Sequence, residues 1–125
     1  EHLRRMIDAY REAGGRGALH LQVHLSWDSR EKAEAIALDQ WRSNVFAPPV
    51  CWDLDTAEAF DVVSERVGID QVRESVHISA DLGEHRDLLR GYAELGFEEI
   101  YLHHVGQDLG EFIDTFGSEV LPQLA

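Results

Sequence analysis

Residues 19–27 read Leu-His-Leu-Gln-Val-His-Leu-Ser-Trp, and this stretch decides the fold class. Leu21, Val23 and Leu25 alternate with polar residues, so the three apolar side chains share one face of an extended backbone. A period of two predicts a β-strand with one apolar face. The same alternation predicts two further strands, at residues 75–80 and 98–105.

The segments around these strands have the apolar spacing of three and four that is typical of amphipathic helices. One such segment, residues 2–13, precedes the first strand, and others follow each strand. Asp28 with Glu31, and Asp81 with Glu84, have the spacing of capping boxes, which predicts that helices begin there. The chain is therefore predicted to alternate helices and strands, with a loop around Pro48 and Pro49 and two short helices before residue 75.

Strands that are separated by helices pair in parallel through right-handed crossovers. A parallel sheet must be covered on both faces, and this layout offers a single set of helices. We therefore expect an α/β fold made of about three consecutive βα units of a (β/α)8 TIM barrel, rather than a finished doubly wound domain. Such a barrel needs about 250 residues, whereas this chain has 125.

The composition excludes several classes of partner. There are 11 Lys and Arg residues against 24 Asp and Glu, a formal net charge of −13, which repels nucleic acid and anionic membrane surfaces. No apolar run approaches the roughly 18 residues of a membrane-spanning helix. The single cysteine, Cys51, permits no disulfide within these residues, which favours a reducing, cytoplasmic location and a packed thiol rather than a nucleophile.

Motifs in the second half of the chain resemble a known family. They are Val-His-Ile-Ser-Ala-Asp (76–81), Glu-Leu-Gly-Phe (94–97), Glu-Glu-Ile-Tyr-Leu-His-His-Val-Gly-Gln-Asp (98–108) and Glu-Val-Leu-Pro-Gln-Leu (119–124). Together they resemble the C-terminal part of the luciferase-like superfamily, near its branch of deazaflavin-dependent glucose-6-phosphate dehydrogenases. The resemblance implies that residues 1–125 are a C-terminal fragment of a TIM-barrel domain.

The resemblance also implies an oxidoreductase that uses coenzyme F420 (a deazaflavin) or FMN. Such an enzyme transfers hydride between its cofactor and an organic substrate or, as a flavin monooxygenase, activates dioxygen. The family's cofactor cradle comes from earlier strands, so we expect this fragment alone to be inactive. The sugar-phosphate branch has a Lys and an Arg where this chain reads Pro-Val-Cys-Trp (49–52) and Glu-Ser-Val (74–76), which argues against a sugar phosphate.

Functional groups in such barrels lie at the carboxyl ends of the strands and in the loops that follow. The candidates for the substrate pocket are accordingly Ser26, Trp27, Trp52 and Ser79. Trp27 and Trp52 would form an apolar wall for a flat ring, or else pack beneath the loop. His103 and His104 are the candidates for proton transfer, since histidine titrates near neutrality, with a structural role as the alternative.

Three further points follow from the pattern. His24, His77 and His103 are each expected on the face opposite the apolar stripe, where three imidazoles suggest zinc. No carboxylate or cysteine supports such a site, so we expect no metal.

The alternative to an enzyme is a non-catalytic half-barrel module that self-associates through exposed strand edges. We expect a homo-oligomer in either case.

Overall fold

The computed structural model describes residues 1–124, and within them a three-stranded parallel sheet is packed between helices. The helices are α1 (His2–Glu12), α2 (Arg30–Trp41), α3 (Ala57–Ser64), α4 (Ile69–Arg73), α5 (Leu82–Glu94) and α6 (Gly110–Thr115). The strands are β1 (His20–Ser26), β2 (His77–Ile78) and β3 (Glu99–His104). Short 3-10 turns occupy Arg42–Asn44 and Val50–Trp52, while a π-helical turn, Phe116–Val120, and a 3-10 turn, Leu121–Gln123, prolong α6.

All three predicted strands are confirmed, but β2 is much shorter than the predicted residues 75–80. The backbone N–H groups of Ser75 and Val76 both donate to the carbonyl of Val72 at the end of α4, at 3.1 and 3.0 Å. Because α4 takes these donors, they cannot extend the ladder with β1. His77 and Ile78 pair with β1, and the N–H of Ser79 adds one bond to the carbonyl of Ser26 at 3.2 Å.

The strands lie in the order β2-β1-β3, with β1 in the centre and both pairs parallel. The expectation of consecutive neighbours is therefore wrong in one respect, since β3 pairs with β1 and not with β2. The connection through α5 carries the chain across β1 to its other edge. The β1–β3 ladder is the long one, running from His20 opposite Glu99 to Leu25 opposite His104.

Helices cover both faces of the sheet, which corrects the expectation of a single set. On the α2 face, Ser26 and Ile78 point towards α2 and α4; on the α5 face, Leu25 and Ile100 point towards α5 and α6. The strands carry apolar side chains on both faces, so both need a cover to exclude water.

Each face has its own apolar core. On the α2 face the buried residues are Ala33, Ala37, Val67, Val72, Val76, Ile78 and Val105. On the α5 face they are Leu25, Leu89, Phe112, Phe116 and Val120. The apolar positions predicted on α2 are therefore confirmed as core positions, with Ala33 and Ala37 both fully buried.

The two predicted helix caps differ. Asp81 caps α5 as predicted, and its carboxylate accepts a hydrogen bond from the N–H of Gly83 at 2.6 Å. The prediction for Asp28 is wrong, because Ser29 is the residue that precedes α2. The Asp28 carboxylate instead accepts from the N–H of Ser29 at 2.6 Å, one position too early to cap the helix.

Helix α1 forms where predicted, but none of its residues is buried. Its apolar stripe of Leu3, Met6, Ile7 and Tyr10 faces outward or is only partly covered. The Tyr10 hydroxyl accepts a hydrogen bond from the N–H of Gly17 at 2.9 Å, which ties the end of α1 to the loop before β1. No helix among residues 1–124 is long and apolar enough to cross a membrane.

Candidate functional site

A cleft with a volume of about 250 Å³ lies at the carboxyl ends of β1 and β3. We call it the carboxyl-end cleft. Its lining includes Trp27 and Asp28 after β1, His104 and Gly106 at the end of β3, and Phe112 from α6. The fold brings these groups together because each of them ends a strand, follows a strand closely or lies on the next helix.

The topology explains why a cleft forms at this place. β1 and β3 end side by side, with Leu25 opposite His104. The chain then leaves β1 for α2 on one face and leaves β3 for α6 on the opposite face. Ligands of open parallel sheets bind in the crevice where two adjacent strands are followed by helices on opposite faces. The carboxyl-end cleft is such a crevice.

His104 forms the buried base of this cleft and is only 6% exposed. Its ring stacks on Phe112, with the centroids 4.9 Å apart and the planes at 15°. Burial lowers the pKa of His104, and a hydrogen bond to the Leu25 backbone and the nearby Asp28 carboxylate oppose this only in part. The imidazole is therefore neutral at pH 7.

Gly106 keeps the space in front of this imidazole open. A Cβ at position 106 would lie 2.7 Å from Nε2 of His104 and 3.1 Å from a methyl carbon of Ile36. Any side chain there would therefore press on the histidine and fill part of the cleft. In the sequence, Gly106 is distinguished only as part of the motif at residues 98–108.

Acidic side chains surround the cleft. Asp28, Asp39, Asp108 and Glu111 line it, and the lining contains no Lys or Arg. An amide bridge from Gln107 to Gln40, with Nε2 to Oε1 at 3.2 Å, joins the loop after β3 to α2. Sequence reasoning missed Asp39 and Glu111, because their position depends on how α2 and α6 pack. The helical spacing of Ile36, Asp39 and Gln40 was the available signal.

The four residues proposed for a pocket have different surroundings. Trp27 lines the cleft and packs edge-to-face on Phe116, with centroids 5.7 Å apart. Trp52 is 74% exposed on the Val50–Trp52 turn, outside this cleft, so the two tryptophans do not form one wall there. Ser26 is fully buried and donates its hydroxyl to the Ala33 carbonyl at 2.8 Å, so its surroundings are those of a packing residue.

Ser79 lies at the end of β2 in a second cleft of about 350 Å³. Its hydroxyl accepts a hydrogen bond from the N–H of Asp81 at 3.0 Å. Arg73 and Arg30 also line this cleft, but Nη2 of Arg73 contacts Oε1 of Glu34 at 2.5 Å. The guanidinium of Arg73 is thus already paired with a carboxylate.

His103 lies apart from the carboxyl-end cleft, on the α2 face. Its Nδ1 is 2.9 Å from Nδ1 of His24, and the Trp41 ring packs against both imidazoles, with centroids 5.4 and 4.4 Å away. Burial and the proximity of His103 lower the pKa of His24. Of the two candidates for proton transfer, His104 is the one that lines the cleft.

His77 does not join His24 and His103. It lies on the α5 face, where its ring is 4.8 Å from that of His85. The reason is the register, which sets His77 opposite Leu25 rather than His24, and a shift of one residue moves a side chain to the other face. Within residues 1–124 no three His, Cys, Asp or Glu side chains are grouped to hold a metal ion.

Comparison with known sequences identifies relatives of one kind. The chain is 31% identical over 104 residues to an F420-dependent glucose-6-phosphate dehydrogenase of Nakamurella multipartita, an alignment covering 83% of this chain and 31% of that protein. It is 32% identical over 62 residues to the enzyme of the same name from Intrasporangium calvum, covering 50% of this chain and 19% of that protein. The chain spans less than a third of the length of these curated relatives. No family model matches.

The fold agrees with this relationship. An F420-dependent secondary alcohol dehydrogenase, solved with an F420-acetone adduct, superimposes with a TM-score of 0.75 at 19% identity, covering 98% of this chain and 38% of that one. This confirms the expected fold class, parallel strands with flanking helices shared with a luciferase-like barrel enzyme. Over the part of their length that it spans, the chain is thus similar in sequence to F420-dependent glucose-6-phosphate dehydrogenases and similar in fold to an F420-dependent secondary alcohol dehydrogenase.

Proposed function

We propose that this chain is part of an oxidoreductase that transfers hydride between coenzyme F420 and an organic substrate. The observation that carries the proposal is the carboxyl-end cleft, which a homologue of F420-dependent dehydrogenases forms at the switch point of its sheet. When bound, the deazaflavin supplies the hydride acceptor or donor. Everything else that this chain contributes must come from the side chains around the cleft.

The cleft fits the substrate side of such a site better than the cofactor side. F420 and FMN both carry a phosphate-bearing chain, and no Lys or Arg lines the cleft to pair with one. The phosphate-bearing chain would therefore be held by segments of a longer protein. His104, neutral and buried beside the cleft, can accept a proton from a substrate hydroxyl or return it.

Because the segments that would hold the cofactor lie outside this chain, the chain is inactive by itself. We expect titration with F420 or with FMN to show no tight binding to this polypeptide, and no turnover. In a longer protein that contains it, tighter binding of one of the two cofactors would decide between them. A dioxygen-dependent product would instead indicate a monooxygenase.

His104→Phe tests the role of the cleft in the longer protein. The ring stacking on Phe112 is retained, while the proton acceptor is lost. General acid–base groups contribute about 10²- to 10⁴-fold to rate, so we expect kcat to fall within that range. His20→Gln is the matched control, because His20 is exposed on β1 far from the cleft. Unchanged kcat in His104→Phe, or steady-state turnover by this chain alone, would contradict the proposal.

A second candidate function is a non-catalytic module that pairs with another copy of itself. The observation that favours it is the outward-facing apolar stripe of α1, in which Met6 is 56% exposed. Sedimentation at increasing concentration tests it. Concentration-dependent dimers that Met6→Glu abolishes would support the module, whereas a monomer at every concentration would exclude it.

A further inference from the structure

We propose that two copies of this chain dimerise by pairing their β3 strands antiparallel, about a twofold axis that passes beside Tyr101. The inference does not depend on the proposed oxidoreductase activity, and it concerns a different surface from the apolar stripe of α1. The two three-stranded sheets would then form one sheet of six strands, with β3 of each copy at its centre.

The outer edge of β3 has no neighbouring strand among residues 1–124, because the sheet order is β2-β1-β3. The hydrogen bonds of β1 show which backbone groups of β3 face that edge. On the β3 side the carbonyl of Leu25 accepts from the N–H of Val105 at 2.9 Å, and on the β2 side the carbonyl of Ser26 accepts from the N–H of Ser79 at 3.2 Å. Odd-numbered residues of β1 therefore bond to β3, and even-numbered ones face β2.

The register transfers this alternation to β3. Val23 of β1 lies opposite Leu102, and in a parallel ladder it bonds to the residues on either side of its partner, Tyr101 and His103. The N–H and C=O groups of Ile100 and Leu102 consequently point away from β1. They face the open side, where the sheet has no strand to pair with them.

Nothing in the sequence of β3 guards this edge against pairing. Natural edge strands are blunted by lysine, by proline, by a bulge or by a covering segment. β3 reads Glu-Ile-Tyr-Leu-His-His, which contains no lysine and no proline, and its ladder with β1 runs from Glu99 to His104 without interruption. The strand is therefore able to pair along its whole length.

An apolar groove of about 250 Å³ lies beside this edge strand, on the α5 face. Its lining includes Ile100 and Leu102 of β3, together with Leu89, Phe97 and Leu121. Ile100 and Leu102 are only half-buried, and Leu121 is 48% exposed. A strand laid against β3 would bring its own apolar side chains to this groove and exclude water from it.

The side chains of β3 match a second copy of β3 in one register. With Tyr101 opposite Tyr101, Ile100 of each copy lies opposite Leu102 of the other, and these two residues exchange the backbone hydrogen bonds of the open edge. The same register pairs two apolar side chains in the groove. On the other face it sets Glu99 opposite His103 of the second copy, a carboxylate beside an imidazole.

The neighbouring symmetric registers match less well. A register centred on Ile100 would set Glu98 opposite Leu102 and carry a carboxylate into the apolar groove. A register centred on Leu102 would set Ile100 opposite His104, whose ring is already stacked on Phe112. The register centred on Tyr101 is therefore the one in which each face of the strand meets its complement.

Repulsion between the copies opposes this interface, because each chain carries a formal net charge of −13. Salt screens such repulsion, with a Debye length of about 30 Å at 0.01 M and about 3 Å at 1 M. The main contacts of the interface are backbone hydrogen bonds and apolar side chains, which salt does not weaken in this way. We therefore expect the dimer to become stronger as the salt concentration rises.

Sedimentation of this chain at increasing protein concentration, at low and at high salt, tests the proposal. We expect the dimer fraction to rise with both. Hydrogen exchange followed by NMR should show slower exchange of the Ile100 and Leu102 amides as dimers form, while the Tyr101 amide, already bonded to β1, stays the same. A monomer under every condition, or dimers without protection of Ile100 and Leu102, would overturn the proposal.

Tyr101→Glu breaks the interface at its axis. Tyr101 is 53% exposed, so the fold tolerates the change, and two carboxylates would meet across the axis. We expect the dimer to weaken by about tenfold or more. Gln22→Glu is the matched control, since exposed Gln22 lies opposite Tyr101 on the central strand and gains the same charge. Circular dichroism confirms that each variant is folded, and equal weakening in both would overturn the proposal.

Met6→Glu separates this interface from the stripe on α1. A dimer that forms through β3 should be as strong in this variant as in the parent chain, because α1 takes no part in it. If Met6→Glu abolishes the dimers and Tyr101→Glu does not, α1 is the interface and the pairing of β3 is wrong.

A cysteine at the axis tests the register, in a background in which Cys51→Ser removes the native thiol. Tyr101→Cys should form a disulfide-linked dimer on mild oxidation, because opposite residues of a non-hydrogen-bonded antiparallel pair have Cα atoms about 4.5 Å apart. Glu99→Cys is the control, since the two copies of residue 99 would be about 13 Å apart along the strands. Absence of the Tyr101→Cys dimer, or equal cross-linking of both variants, would overturn the register.

Discussion

The two faces of the sheet are packed in different ways, although the same three strands form both. On the α2 face the strands present the imidazoles of His24 and His103 beneath Trp41, and α2 meets the sheet through Ala33. On the α5 face Leu25 is enclosed by large apolar residues, namely Leu89, Phe112, Phe116 and Val120. The core of the α2 face therefore consists of alanines and β-branched residues, whereas the core of the α5 face consists mainly of leucine and phenylalanine.

The difference shows that the helix residues decide what a strand residue does. The small side chain of Ala33 lets α2 approach so closely that the Ser26 hydroxyl reaches the Ala33 carbonyl at 2.8 Å. On the opposite face, Phe112 and Phe116 lie in the core that encloses Leu25. Alternation along β1 separates its two sets of side chains, but the partners on α2 and α6 fix the role of each set.

The largest effect is expected from removing the main anchor of the α5 face. Phe116 is 2% exposed and contacts the rings of Trp27, His85 and Phe112. We expect Phe116→Ala to lower the free energy of unfolding by about 3–5 kcal/mol, measured by urea denaturation. Ile113→Ala, 60% exposed on the same helix, should cost less than about 0.5 kcal/mol. Similar losses in both variants would show that the α5 face is not a packed core.

The next largest effect on the free energy of unfolding is expected from acid pH, which acts on buried imidazoles of both faces. Burial lowers the pKa of His77, His85 and His104 on the α5 face, and of His24 on the α2 face. A lowered pKa means that the folded state keeps these rings neutral, while the unfolded chain takes up protons below about pH 6.5. Their contribution is therefore complete above pH 6.5 and is lost as the pH falls towards the lowered values. Each extra proton bound by the unfolded chain costs about 1.4 kcal/mol per pH unit.

The variant His85→Phe tests this dependence, because His85 is fully buried and its Nε2 lies 3.0 Å from the Ser79 carbonyl oxygen. We expect the free energy of unfolding to change less steeply between pH 7 and 5 than in the parent chain. His2→Gln, at an exposed position, should leave the slope as it was. If the His85→Phe slope matches that of the parent, the buried imidazole is not the source of the acid sensitivity.

The smallest effects concern how the helix on each face begins. Asp81 caps α5, so Asp81→Ala should lower the free energy of unfolding by about 1 kcal/mol. Asp28 stands one residue before the N-cap of α2, so Asp28→Ala should cost less than Asp81→Ala. Thermal denaturation of the two variants beside the parent decides this. A larger loss for Asp28→Ala would reverse the assignment of the caps.

Local features of the fold were predictable because they depend on neighbours in sequence. The alternation around Val23 locates β1, Asp81 marks the start of α5, and Gly96, with φ of +93°, follows the C-cap of that helix. The carboxyl ends of the strands, where the sequence places the candidate groups, are also where a cleft lies. His104 and Trp27 do line the cleft at that edge.

Other features depend on contacts between distant segments and left no local signal. The strand order β2-β1-β3 is set by the path of α5, and the face of His77 is set by its register against Leu25. Ser26 alternates like a pocket residue but is covered by α2. The contributions of Asp39 and Glu111 to the cleft likewise require the packed helices.

The contact between His24 and His103 links two positions that lie 79 residues apart in sequence. With Nδ1 facing Nδ1 at 2.9 Å, one ring must hold the hydrogen and the other must offer its lone pair. The tautomer of either ring therefore dictates that of the other.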